Sequence, residues 1–164
     1  MASLQLAAVV FRALVEPRSR TIVEQRVTRP FRGRALVVAS PLAPCMFSLR
    51  IGVNRQFHQG VPGAMFLLPT FTTAGVALVD GMIERVVACG DELEAPMLFG
   101  DPKVRARSAS IPSELAQLAG RALAADSALA CDVAVAGWCV AVEVENPTDV
   151  ALELRALLIG SAFP

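Results

Sequence analysis

The sequence predicts one all-β domain, an antiparallel β-sandwich with a short helix ahead of its last hairpin. Three observations point there. About eight short strand-like segments follow one another, divided by Pro, Gly, Asn and Asp. Several alternate apolar and polar residues at period two, as in "FSLRI". Only residues 110–130, "SIPSELAQLAGRALAADSALA", have the composition of a helix. At 164 residues the chain fits a single domain, residues 1–164. A domain of that size buries roughly two thirds of its unfolded surface without needing disulfides or a metal.

Each element has its own signal. "LQLAAVVFRALVE" (residues 4–16) suits helix or strand, and Pro17 ends it. "RTIVEQRVT" (20–28) is β-branched and alternating. In "RPFRGRALVVAS" (29–40) the apolar part is 35–39. "FSLRIGVN" puts Phe47, Leu49, Ile51 and Val53 on one face and Ser48, Arg50, Gly52 and Asn54 on the other, a half-buried strand. "GVALVDGMIERVV" contains Asp80-Gly81, a pair that tolerates the positive φ of a type I′ turn, so 76–79 should pair with 82–85. That hairpin is apolar on both faces and must be covered, which makes Val79 and Met82 candidate subunit contacts. In the helical segment Ser110 is a candidate cap, Pro112 lies in the first turn, and Leu115, Leu118 and Leu123 fall loosely on one face.

"GWCVAVEVENPTDVALELRALLIGSA" closes the chain. Val140, Val142 and Val144 alternate with Ala141, Glu143 and Glu145; Val150, Leu152 and Leu154 alternate with Ala151, Glu153 and Arg155. A hairpin with the odd loop Asn146-Pro147-Thr148 would set Val144 against Val150 and Val142 against Leu152, making one face apolar. From Ala156 to Ile159 both faces turn apolar, and something must cover them. Leu157, Leu158 and Ile159 are therefore the leading candidates for a subunit interface.

Composition sharpens that expectation. Apolar residues make up 54% of the chain and charged residues 18%, against about 45–50% and about 25% in ordinary domains. The excess suggests large subunit contacts. A membrane span is not expected: the longest uncharged run, residues 56–79, carries His58, two prolines and three glycines, and Arg12 interrupts the N-terminal apolar stretch. The four cysteines, at 45, 89, 131 and 139, have no metal-ligand spacing and read as buried free thiols.

Net charge is zero but unevenly distributed. Residues 1–55 hold nine Arg and two Glu; residues 56–164 hold six basic and thirteen acidic residues. Either the two kinds of charge mix on folding or they form complementary patches between subunits. Arg29, Arg32, Arg34, Arg50 and Arg55 form a candidate basic face for an acidic neighbour or for nucleic acid, although a chain with one Trp and no Tyr supplies few bases' worth of stacking surface.

Catalytic signals are missing. His58 is the lone histidine, too few for a cupin-type metal site, and neither a nucleophile elbow nor a phosphate-binding glycine loop is present. The acidic cluster Asp91, Glu92 and Glu94 reads as a solvated loop. We expect no enzyme, no cofactor and no metal.

"RPFRGRALVVAS", "FSLRIGVNRQF" and "VAVEVENPTDVALELRALLIGSA" together resemble small bacterial and phage-encoded β-sandwich proteins of the single jelly-roll type, over roughly a quarter of the chain. The resemblance implies a capsid or shell subunit, acting in a virion or a cytoplasmic assembly, whose partner is further copies of itself. The alternative is a jelly-roll binding module for carbohydrate or a receptor, with Trp138 and Phe57 its best exposed aromatics. On the first reading, Leu158→Asp should yield a small soluble species in place of an assembly.

Overall fold

A computed structural model describes residues 5–57, 60–124 and 129–163. His58 lies outside the described residues, as does the end of the predicted helical segment around Asp126. The strands are β1 (Gln5–Val15), β2 (Arg20–Arg26), β3 (Phe31–Val38), β4 (Met46–Ile51), β5 (Asn54–Arg55), β6 (Val61–Pro62), β7 (Met97–Leu98), β8 (Val133–Ala134), β9 (Cys139–Glu145) and β10 (Leu152–Ala162). The helices are α1 (Thr73–Gly90), α2 (Pro102–Arg107) and α3 (Ile111–Ala124).

The strands form two antiparallel sheets. The first runs β7-β1-β10-β3-β8; the second runs β2-β9-β4-β5, with β6 also on β4. The second sheet is one-sided. Phe47, Leu49 and Ile51 of β4 and Val140, Val142 and Val144 of β9 are buried, whereas Ser48, Arg50, Glu143 and Glu145 lie on the other face. The first sheet is buried on both. Ala7 to Phe11 of β1 and Ala156 to Ile159 of β10 are all buried in succession, the pattern of a sheet covered twice. Helices α1 and α3 cover one face, α1 over β1 and β10 and α3 over β3. The second sheet closes the other.

This layering corrects the proposed interface. Leu157, Leu158 and Ile159 are fully buried in the centre of the first sheet, paired to Val10, Val9 and Ala8 on one side and to Val37, Leu36 and Ala35 on the other. What covers them is the protein's own helices and second sheet. The apolar excess fills a three-layer core, which needs more apolar residues than a two-layer one.

The hairpin at Asp80-Gly81 is also corrected: the segment is the middle of α1. Val79, Met82, Ile83, Val86 and Val87 are its buried residues, spaced i, i+3, i+4, i+7, i+8, one stripe of a helix. The Thr72 hydroxyl oxygen caps it, accepting from the Gly75 N–H at 2.9 Å. Val79 and Met82 therefore face the core and offer no subunit contact. Asp80 leaves the stripe and accepts hydrogen bonds from the Ser40 N–H, at 2.9 Å, and the Ser40 hydroxyl, tying α1 to the turn after β3. At the far end of α1 a methyl group on Gly90 would clash with the Val10 side chain, so the last turn rests directly on β1.

The closing pair of strands is not a hairpin. β9 pairs with β2 and β4, and β10 pairs with β1 and β3. Residues 146–151 carry the chain from one sheet to the other. Fully buried Asn146 holds this arch: its amide donates to the carbonyl oxygens of Val15, Glu16 and Val150, at 3.4, 3.3 and 2.8 Å, and its Oδ1 accepts from Thr148 N and Oγ1, at 2.9 and 2.7 Å. The single predicted helix is α3, with Pro112 in its first turn; its buried face is Ile111, Leu115, Leu118, Ala119 and Ala122, and Leu123 is exposed. Val53 leaves the β4 pattern and is 91% exposed, because Gly52, at φ 61°, turns the chain first.

Candidate functional site

Folding pairs four of the nine arginines in residues 1–55 with carboxylates. Arg12 bonds Asp91 at 2.8 Å and Glu153 at 3.0 Å; Arg18 bonds Asp149 at 2.8 Å; Arg20 reaches Glu143 at 3.1 Å and Glu145 at 3.4 Å; Arg50 reaches Glu143 at 3.7 Å. Arginines from the first third of the chain thus meet carboxylates from later segments, because β1 lies beside β10 and β2 and β4 lie beside β9. Asp91 and Glu92 are likewise engaged, Glu92 with Arg107. Each exposed pair contributes only about 0–1 kcal/mol.

The five arginines of the predicted basic face separate into three places. Arg29 lines a small pocket beside Leu93, Pro96 and Lys103. Arg32 and Arg34 line a groove of about 500 Å³ with Phe31, Leu129, Val133 and Phe163. Arg50 and Arg55, paired across β4 and β5, border an open shelf with Asp132. The groove and the shelf lie on either side of the Asp132–Val133 step, so four of the five share one end of the molecule. In the groove, Arg32 pairs with both Val133 and Ser161 and so shares their face. The register skips Arg34 as β3 passes β10, a bulge that also brings Gly160 against the Arg32 carbonyl. Among the described residues neither Arg32, Arg34 nor Arg55 forms an ion pair.

A second surface was not among the expectations. β2 is the outermost strand of the second sheet, paired on one side only, to β9. Val27 exchanges backbone hydrogen bonds with Gly137 and Trp138 on the β9 side, whereas the Thr28 N–H donates outward to the Ala95 carbonyl. Backbone groups alternate in direction along a strand, so the N–H and C=O of Arg20, Ile22 and Glu24 point away from β9. Among the described residues they have no hydrogen-bond partner. The side chains of these three residues lie on the solvent face, where Ile22 is 51% exposed. Alternation predicted the strand; no local signal could say that it would end up at an edge.

The aromatics expected for a binding module do not form a platform. Phe57 stacks on Phe66 with ring centroids 5.8 Å apart and packs against the core. Trp138 is 40% exposed and lies over Gly52, where an added methyl would meet its ring at 2.8 Å. Cys45 and Cys131 are buried, and burial pushes the Cys131 thiol up to about 11, keeping it protonated near neutral pH; Cys89 and Cys139 are half-buried. Among the described residues no group of three or more His, Cys, Asp or Glu is placed to hold a metal. No described helix is long and apolar enough to cross a membrane. No protein-family model, curated protein or solved structure matches the chain.

Proposed function

We propose that this protein is a non-catalytic structural subunit of the single jelly-roll type, a capsid or shell component that works by associating with further copies of itself. The strand orders support the jelly-roll reading: the first and last long strands lie side by side with β3 beyond, and β2, β9 and β4 repeat that arrangement in the facing sheet. The observation that carries self-association is the open edge of β2, since an unpaired row of N–H and C=O groups is a template for another strand. Light scattering on a sizing column tests it. A mass that is a multiple of 17.3 kDa is the expected result, and a monomer across the accessible concentration range would sink the reading.

The arginine groove favours a second reading, a binding module for an anionic ligand with an apolar part. Arg32 and Arg34 would hold the charge while Leu129, Val133 and Phe163 take the apolar portion. Calorimetric titration with dodecanoate tests this: heat should be released by the native protein and lost in an Arg32→Gln/Arg34→Gln variant. Nucleic acid as the partner predicts instead that the purified protein carries material removed by nuclease and high salt.

A further inference from the structure

We infer that two copies join edge to edge through β2, about a two-fold axis at Ile22, to make one continuous ten-stranded sheet. This deepens the self-association reading and rests on it. A two-fold axis perpendicular to the sheet keeps both solvent faces on one side, so residues directly opposite each other must have numbers with an even sum. Five such registers place β2 against itself within two residues of its middle, and they differ sharply in charge. Centring on Gln25 sets Glu24 against Arg26 but puts Ile22 opposite Thr28, whose N–H is already taken by Ala95. Centring on Val23 sets Arg20 against Arg26 and Ile22 against Glu24. Centring on Thr21 sets Arg20 against Ile22, and centring on Glu24 sets Glu24 against itself. Centring on Ile22 sets Arg20 against Glu24 of the second copy, Glu24 against its Arg20, and Ile22 against Ile22. This register pairs opposite charges twice and buries the exposed isoleucine in the same step; it also sets Arg26 against Arg18 of the second copy, whose guanidinium is already bonded to Asp149.

The backbone permits that choice. The outward-pointing groups belong to Arg20, Ile22 and Glu24, and they form hydrogen-bonded pairs when Ile22 faces Ile22, as they would in any even-sum register. The free stretch runs from the turn at residues 16–19 to the contacts of Val27 and Thr28 with Ala95, and pairing centred on Ile22 uses residues 20 to 24 of it. Glu24 has no ion-pair partner among the described residues. Arg20 already leans on Glu143 and Glu145 along the same face, and its side chain is 61% exposed.

A charge swap tests the register. By symmetry each single change alters two contacts, so Arg20→Glu and Glu24→Arg should each weaken the dimer at least tenfold in sedimentation velocity. The double variant Arg20→Glu/Glu24→Arg should return to within about threefold of the native dissociation constant, since it restores both pairs. Because Arg20→Glu also removes contacts to Glu143 and Glu145, thermal melts must show all three variants folded. A second measurement does not depend on charge. In a Cys89→Ser/Cys139→Ser background, Ile22→Cys should oxidise to a covalent dimer, because opposed residues at the axis lie within disulfide reach, and Glu24→Cys should not. Native dimers that ignore both charge reversals, or an Ile22→Cys protein that stays monomeric on oxidation, would overturn this contact while leaving self-association standing. A native protein that is monomeric throughout overturns both.

Discussion

β9 and β10 are the same kind of sequence, alternating, valine- and leucine-rich and separated by six residues, yet they belong to different sheets. The difference lies in their second faces. β9 keeps Glu143 and Glu145 opposite its valines and so can stand in a sheet with one wet side. β10 loses its polar face from Ala156 onward and can be stable only where both sides are covered. A hairpin would have bound them into one sheet, leaving either glutamates buried or leucines exposed. The arch at Asn146 separates them and lets each take the environment its second face requires.

The same acidic substitution in each sheet gives the largest expected contrast. Leu158→Asp places a charge at a position with no exposure, a cost of several kcal/mol. We expect an unfolded or insoluble protein by circular dichroism, in place of the soluble small species that an interface position would give. Ile22→Asp, on the wet face of the second sheet, should keep the native melt and lose only self-association. If Leu158→Asp stays folded, the three-layer arrangement is wrong.

The arch comes next. Asn146→Ala removes five hydrogen bonds from a fully buried side chain, which should cost about 2–3 kcal/mol in denaturant unfolding. A loss below about 0.5 kcal/mol would mean that the β9–β10 crossing holds without the asparagine. The helix over the first sheet yields a smaller effect. Asp80→Ala removes the tie from α1 to Ser40, about 1 kcal/mol for a charge-assisted pair that is only partly buried. If residues 76–85 formed a hairpin, the same change would act on the turn and spare helical ellipticity.

The smallest effect lies at the rim where β1 meets β10. The hydrogen bond from Arg12 holds the Glu153 carboxyl below the usual carboxylate range. A depressed carboxylate contributes stability above its unfolded value, about 4.3, and loses it as pH falls through the folded value. Acid unfolding of Glu153→Gln should therefore show a slightly shallower loss of stability than the native protein below about pH 4.3. Parallel curves would mean that the exposed pair contributes nothing.

Much of the strand content was legible locally. Phe47, Leu49 and Ile51 announced β4, and the valines of β9 announced their buried face. The helix α1 was legible too, in the spacing of Val79, Met82, Ile83, Val86 and Val87, but Asp80-Gly81 is an equally local turn signal and points the other way. The stripe prevails because five buried side chains outweigh one dipeptide's tolerance for positive φ. The site was less legible. Arg32 and Arg34 were visible as dense charge, but their groove needs Leu129, Val133 and Phe163, which are distant in sequence.

By itself the sequence determined which residues are apolar, at what period, and how many faces of each segment need cover. Those are local properties of side chains on a strand or a helix. Only the tertiary structure decided what supplies the cover and which strands meet. Leu157, Leu158 and Ile159 needed burial whatever the partner; α1 and the second sheet met that need within one chain. The arginines of the first 55 residues needed counter-charges; β9 and β10 brought them to Arg12, Arg20 and Arg50. Pairing between segments more than a hundred residues apart depends on the closure of the whole core, so no window of sequence contains it.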